Sequence, residues 1–251
     1  MAERPEQLEE ENAGGIGETI SVIIQALLIA LVFRTFLFQP FSIPTGSMTP
    51  TLLVGDYLLV SKFSYGYSRY SFPFSPDLFE GRIFGDEPER GDIAVFRLPR
   101  DPKLDYIKRV VGLPGERIQM RDGQLFINGE AVERVETGVY LDENSFGEPY
   151  EVPIYRETLP NGVSYDTLDA NPAGPGDNTE AFVVPEGHYF MMGDNRDNSA
   201  DSRFNVGYVP FENLICKARI IFFSVGDGRS ALEFWHWPES LRPSRIFDIT
   251  R

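Results

Sequence analysis

Thr45 and Ser47 flank Gly46 between Pro44 and Pro50, in the stretch running from Phe38 to Leu52. Proline holds φ near about −65° and pushes the preceding residue to extended geometry, so the Ser47 hydroxyl is expected on a stiff, extended loop. A serine oxygen is a poor nucleophile until a base takes its proton. Neither histidine has the setting of a catalytic imidazole: His188 sits in a β-prone Gly-His-Tyr-Phe run and His236 between two tryptophans. Lys108 is the better base. In an extended strand Tyr106, Lys108 and Val110 share one face and Ile107, Arg109 and Val111 the other. A lysine held between a tyrosine and a valine is desolvated, and desolvation lowers its pKa toward neutrality, where the free amine accepts a proton. The third polar stretch runs from Gly193 to Arg203. There Ser199 is expected to orient Lys108, while Asp201 and Arg203 pair to hold the loop. Three aspartates could suggest calcium, but the spacing lacks the alternating ligands, central glycine and closing glutamate of an EF-hand loop. Plainer readings stand beside these: a Pro/Gly/Ser linker, a lysine whose stem packs while its ammonium reaches water, and a self-satisfied polar turn.

The elements that must position these groups follow from patterning. Residues 1–18 are glutamate-rich with Gly14-Gly15 and are expected to be a disordered tail. Residues 19–38 are largely apolar, with Gln25 the only strongly polar residue before Arg34; as a helix they rise about 30 Å, the thickness of the hydrocarbon core. An acidic start and a proline-containing exit argue for a retained single-span anchor rather than a cleaved leader. Charge leaves its orientation tied, with Arg4 on one side and Arg34 on the other. Beyond residue 40 the chain reads as short strands with turn signals at Gly91-Asp92, Asp122-Gly123 and Asn128-Gly129. That pattern predicts a mostly β protein: an antiparallel, barrel-like catalytic core after one N-terminal helix. Residues 39–129 and 181–251 supply the core, and the Pro/Gly/Asp-rich residues 130–180 an inserted β subdomain. The tail Phe234-Trp235-His236-Trp237 and the aromatic stretch from Tyr65 to Phe79 are expected to rest this domain on a bilayer. Core packing of both tryptophans is the alternative.

The net charge is −15, which excludes nucleic acid as a natural partner. The single cysteine, Cys216, cannot form an internal disulfide, and one cysteine with two histidines makes a Cys- or His-based metal centre improbable.

Taken together, PFSIPTGSMTPTLLVGDYLLV, GDIAVFRLPRDPKLDYIKRVVGLPGE and MMGDNRDNSADSRFNVGYVP resemble the bacterial type I signal peptidases, in that family's order and over roughly a quarter of the chain. The resemblance implies a membrane-bound serine endopeptidase with a Ser-Lys dyad and no metal or cofactor. Its partners are the signal peptides of pre-proteins, the lipid bilayer and the export machinery. Ser47 is then the nucleophile, Lys108 the general base, and Ser199 the residue holding the amine. The Ser47 N–H and the Thr45 hydroxyl form the oxyanion hole, where many relatives have serine in place of Thr45. Asp194, Asp201, Arg203 and Arg109 support the site. Phe41, Ile43, Met48, Leu52, Leu58, Val95, Tyr106 and Ile107 wall a cleft with shallow pockets for small side chains at the first and third positions before the cut. The resemblance also sets the catalytic domain on the outer, periplasmic face of the inner membrane. Two rivals remain: a soluble-type Ser-Lys hydrolase such as the self-cleaving repressors, and a membrane-tethered β domain that only binds exported peptides.

Overall fold

The computed structural model describes residues 7–250 apart from positions 73, 74, 78, 144, 145, 172 and 227. Helix α1 (Gln7–Phe36) starts well ahead of Thr19, so the segment expected to be disordered is helical from Gln7 onward. Its glutamate, leucine and alanine residues are good helix formers, and acidic residues suit a helix N-terminus. Once the apolar run nucleates the helix, extension costs little. Gly15–Phe36 is long and apolar enough to cross a membrane, and its most apolar part is buried nowhere against the rest of the chain. Such a surface calls for a non-aqueous surrounding.

The chain passes from α1 into β1 (Phe38–Ser42) and then β2 (Asp56–Ser61). A small hairpin follows, β3 (Tyr67–Ser68) with β4 (Arg82–Ile83). It is tied to the helix end by rings: Phe36 lies edge-on to Tyr67 and Phe72, and Phe38 to Phe63. Next come β5 (Ile93–Leu98) and the long β6 (Asp101–Gly112). The chain continues through β7 (Arg117–Arg121), β8 (Gln124–Ile127) and β9 (Glu130–Ala131). The turns between these three carry positive φ at Asp122, Gly123, Asn128 and Gly129, the conformation that Asn-Gly and Asp-Gly hairpin turns favour. Strands β10 (Glu133–Glu143), β11 (Pro149–Thr158) and β12 (Ser164–Leu168) form a separate three-stranded antiparallel sheet. The core resumes with β13 (Phe182–Val183), β14 (His188–Met192), β15 (Val209–Pro210) and β16 (Leu214–Ser224).

The main sheet has the order β1-β2-β16-β5-β6-β14-β15, and every neighbouring pair in it is antiparallel. The described fold is thus mostly β and antiparallel behind one apolar helix, as the patterning predicts. Strand β6 runs through all three hydrophobic clusters: Ile107 belongs to one, Val110 to a second and Val111 to the third. Burial of residues 107–112 on both faces fixes the register of that half of the strand. At the other end of the chain, Trp235 is 62% exposed beside the exposed Phe234 and Leu232. Trp237 rests against Phe223 with ring centroids 5.0 Å apart. Core packing therefore accounts for part of Trp237 and for none of Trp235.

Candidate active site

Ser47 is not on an extended loop. It sits in a single 3-10 turn, Gly46–Met48, closed by Thr49 N–H donating to the Gly46 carbonyl at 3.1 Å and continued by Leu52 N–H to the Met48 carbonyl at 2.8 Å. The flanking prolines stiffen the approach, but these local bonds turn the backbone between them. As a first-turn residue Ser47 has a main-chain N–H with no acceptor inside the turn. Thr45, just ahead of that turn, is extended and exposed and makes no capping bond with its side chain.

Lys108 lies opposite Ala94 in the β5–β6 pairing. It is 3% exposed. Its Nζ is 2.6 Å from Ser47 Oγ and 2.9 Å from the Ile107 carbonyl, and lies over the Tyr106 ring at 5.5 Å. Burial pushes its pKa from the ordinary 10.5 down to about 8, against the opposing pull of Asp201 and Asp194. An amine so placed is neutral in a useful fraction near neutral pH and is poised to take the serine proton.

The next residue points the other way and behaves differently. Arg109 is fully buried and meets Asp194 through two bonds, Nε to Oδ1 at 2.8 Å and Nη2 to Oδ2 at 2.6 Å. Nη1 donates to the Gly91 carbonyl at 2.8 Å, and the guanidinium lies 4.0 Å from the Tyr165 ring centre. Burial disfavours its charge, but Asp194 reverses that and holds its pKa above the ordinary value. Thr51 Oγ1 also donates to Asp194, at 2.5 Å. Asp201 accepts the Gly193 N–H at 3.0 Å and pairs with Arg203 at 2.9 Å, as expected. A Cβ on Gly193 would collide with Ser199 Oγ and with the Ser47 carbonyl, so only glycine lets the loop lie this close to the 3-10 turn. Asn195 completes that contact: its N–H donates to the Ser47 carbonyl at 3.2 Å.

Ser199 departs from expectation. It is buried beside Gly193, yet its Oγ has no hydrogen-bond partner among the described residues, while the Lys108 amine bonds Ser47 Oγ and the Ile107 carbonyl. The wall residues also divide. Phe41, Tyr106 and Ile107 line a 560 Å³ cleft with Thr45, Ser47 and Lys108. Ile43, Met48, Leu52, Leu58 and Val95 do not; they are at most 2% exposed and form the core cluster beneath. Alternation names both faces of a strand, and here the inner one went to the core. The sequence reading missed Ser42, Pro44, Asp105, Asn198 and Ala200, which complete the lining. Each adjoins a residue it did select or lies within a selected stretch, which is the signal it left unused. It also missed the buried Arg196–Glu157 pair at 2.5 Å, to which the Tyr165 hydroxyl adds a bond at 2.9 Å. That pair stands where the end of β12 meets the loop of residues 193–203, with Arg196 N–H donating to the Leu168 carbonyl at 2.8 Å.

The cleft lining contains one carboxylate, Asp105, and no imidazole or thiol. Asp169, Asp177 and Asp197 gather oxygens within 4.8 Å elsewhere, where Arg134 already pairs with Asp169 at 2.5 Å.

Comparison with known proteins places the chain in a family. The family model described as "Signal peptidase, peptidase S26" matches residues 16–223. A signal peptidase I of Rickettsia prowazekii is 47% identical over 238 residues, 88% of this chain and 89% of that one. One from Rickettsia canadensis is 48% identical over 237 residues, 87% of this chain and 88% of that one. A solved signal peptidase I from Enterococcus faecalis is 28% identical and covers 53% of this chain and 97% of that one, at a TM-score of 0.31, too low to bear on the fold. By the length of the family match and the identity of these relatives, the chain belongs to the signal peptidase family, peptidase S26.

Proposed function

We propose that this protein is a serine endopeptidase that removes N-terminal signal peptides from pre-proteins, with Ser47 and Lys108 as its reacting pair. The observation that carries this reading is a buried amine, its pKa lowered to about 8, at 2.6 Å from a serine hydroxyl. Neutral Lys108 takes the Ser47 proton as Oγ bonds to the scissile carbonyl carbon, giving a tetrahedral oxyanion. The Ser47 N–H and the Thr45 hydroxyl stabilise that oxygen. The Lys108 ammonium then gives its proton to the leaving amine as the C–N bond breaks. Water, deprotonated by the same lysine, releases the acyl group and restores Ser47.

The cleft supports an extended substrate. It runs between β1, the outer strand of the main sheet, and residues 105–108 of β6. A free strand edge offers backbone groups to an added strand. Phe41, Tyr106 and Ile107 leave room for small side chains at the first and third positions before the cut. The α1 helix anchors the enzyme in the bacterial cytoplasmic membrane, with the β domain on the outer face, where exported chains leave the export machinery.

The test is cleavage of a synthetic pre-protein by the full chain in detergent, beside Ser47→Ala and Lys108→Ala. Activity that survives either change removes the mechanism. A parent protein that binds the pre-protein without cutting it restores the binding-domain reading.

A further inference from the structure

A second cavity, of 360 Å³, lies where the last turn of α1 meets the sheet, and three cationic side chains converge on it: Arg34, Lys62 and Arg97. Lys62 is 4% exposed. Its Nζ has one partner among the described residues, the Ser71 carbonyl at 2.6 Å, so further N–H donors are left over. Arg97 pairs with Asp105 at 2.9 Å, but its buried Nε has no partner. No hydrogen bond or ion pair engages Arg34 among the described residues. Burial foremost lowers the pKa of Lys62, and Arg34 and Arg97 add to it against the pull of Cys216 and Asp105. Like charges gathered in a poorly hydrated space are costly until an anion joins them. The excess is local, because the chain as a whole carries −15.

The position narrows the anion. Arg34 belongs to the last turn of the apolar helix, and Leu31, one turn earlier, lines the same cavity together with Phe72. A basic group at that point of a membrane helix lies at headgroup depth, and Leu31, nearer the middle of the helix, lies on the hydrocarbon side. We propose that this cavity binds the phosphate of an anionic phospholipid through Arg34, Lys62 and Arg97, with the lipid's apolar part leaving along Leu31. The assignment rests on α1 being the membrane anchor. It also touches catalysis, since Phe41 and Asp105 line both this cavity and the catalytic cleft; a lipid seated here steadies one wall of the substrate site.

The experiment uses the full chain in neutral detergent micelles and titrates dihexanoyl phosphatidylglycerol, dihexanoyl phosphatidylcholine and glycerol phosphate by calorimetry. Phosphatidylglycerol is expected to bind tighter than phosphatidylcholine, and Lys62→Met and Arg34→Gln are each expected to weaken it roughly ten-fold. Arg34 is on an exposed helix surface, so its variant folds even where Lys62→Met does not; melting temperatures check both. Equal binding of the two lipids, or unchanged phosphatidylglycerol binding by Arg34→Gln, overturns the site. Glycerol phosphate binding as tightly as the lipid overturns the lipid as its source. Flotation with pure phosphatidylcholine vesicles tests the anchor separately: failure to float sinks the anchor reading without altering the micelle result.

Discussion

Lys108 and Arg109 are neighbours on β6, both buried and both cationic in water, and the core treats them in opposite ways. Arg109 has a carboxylate, a carbonyl and a ring around its guanidinium. Lys108 has a hydroxyl and a carbonyl. Full pairing keeps the first charged, and burial, with no direct counter-ion to offset it, pushes the second down to about 8. A buried cation is structural when its partner is supplied and chemical when it is withheld. One strand delivers both because its successive side chains face opposite ways.

The comparison can be broken most sharply by removing each member. Ser47→Ala or Lys108→Met is expected to cut cleavage by about 10⁴-fold or more, with no fall in melting temperature. Asp194→Ala leaves Arg109 buried and unpaired, and is expected to cost about 3–5 kcal/mol of stability in thermal or denaturant unfolding. Equal melting of Asp194→Ala and the parent would erase the distinction between the two faces. Thr45→Val keeps the shape and loses the donor; cleavage is expected to fall about 10²–10³-fold without a change in fold by circular dichroism.

The mildest effect is on stability against pH. The folded pKa of Lys108, about 8, lies below its ordinary 10.5, so between these values the unfolded chain binds more protons and stability rises with pH. Lys108→Met is therefore expected to be more stable than the parent below pH 8, by about 3 kcal/mol. That advantage fades as pH rises toward 10.5. Cleavage by the parent should rise with pH and level off near 8, and a profile flat from pH 5 to 9 would remove the amine from the base role.

The parts of this molecule that local pattern controls were readable. Strand spacing, the apolar run and the Asp-Gly and Asn-Gly turns act within a few residues, and the antiparallel β fold followed from them. That Ser47 and Lys108 meet was anticipated from residue type and from the alternation that puts Lys108 with Tyr106. What escaped depends on closure over long distances. Glu157 looks like an ordinary strand glutamate until β12 brings it against Arg196. Met48 and Leu58 look like cleft wall until the chain closes a core cluster over them with Val95, Ile107 and Cys216. Ser199 was read as a hydrogen bonder, and its Oγ has no partner among the described residues.

The junction at Phe36 has a consequence for which clients this protein accepts. The helix ends there, β1 begins at Phe38 already laddered to β2, and Ser47 follows within a dozen residues. Because that stretch is zipped into a sheet, it cannot stretch or coil to suit a visitor. If Ser47 cuts and α1 spans the bilayer, as proposed, that strand is a rigid spacer setting the cutting height, and the distance from a client's greasy segment to its scissile bond must match it.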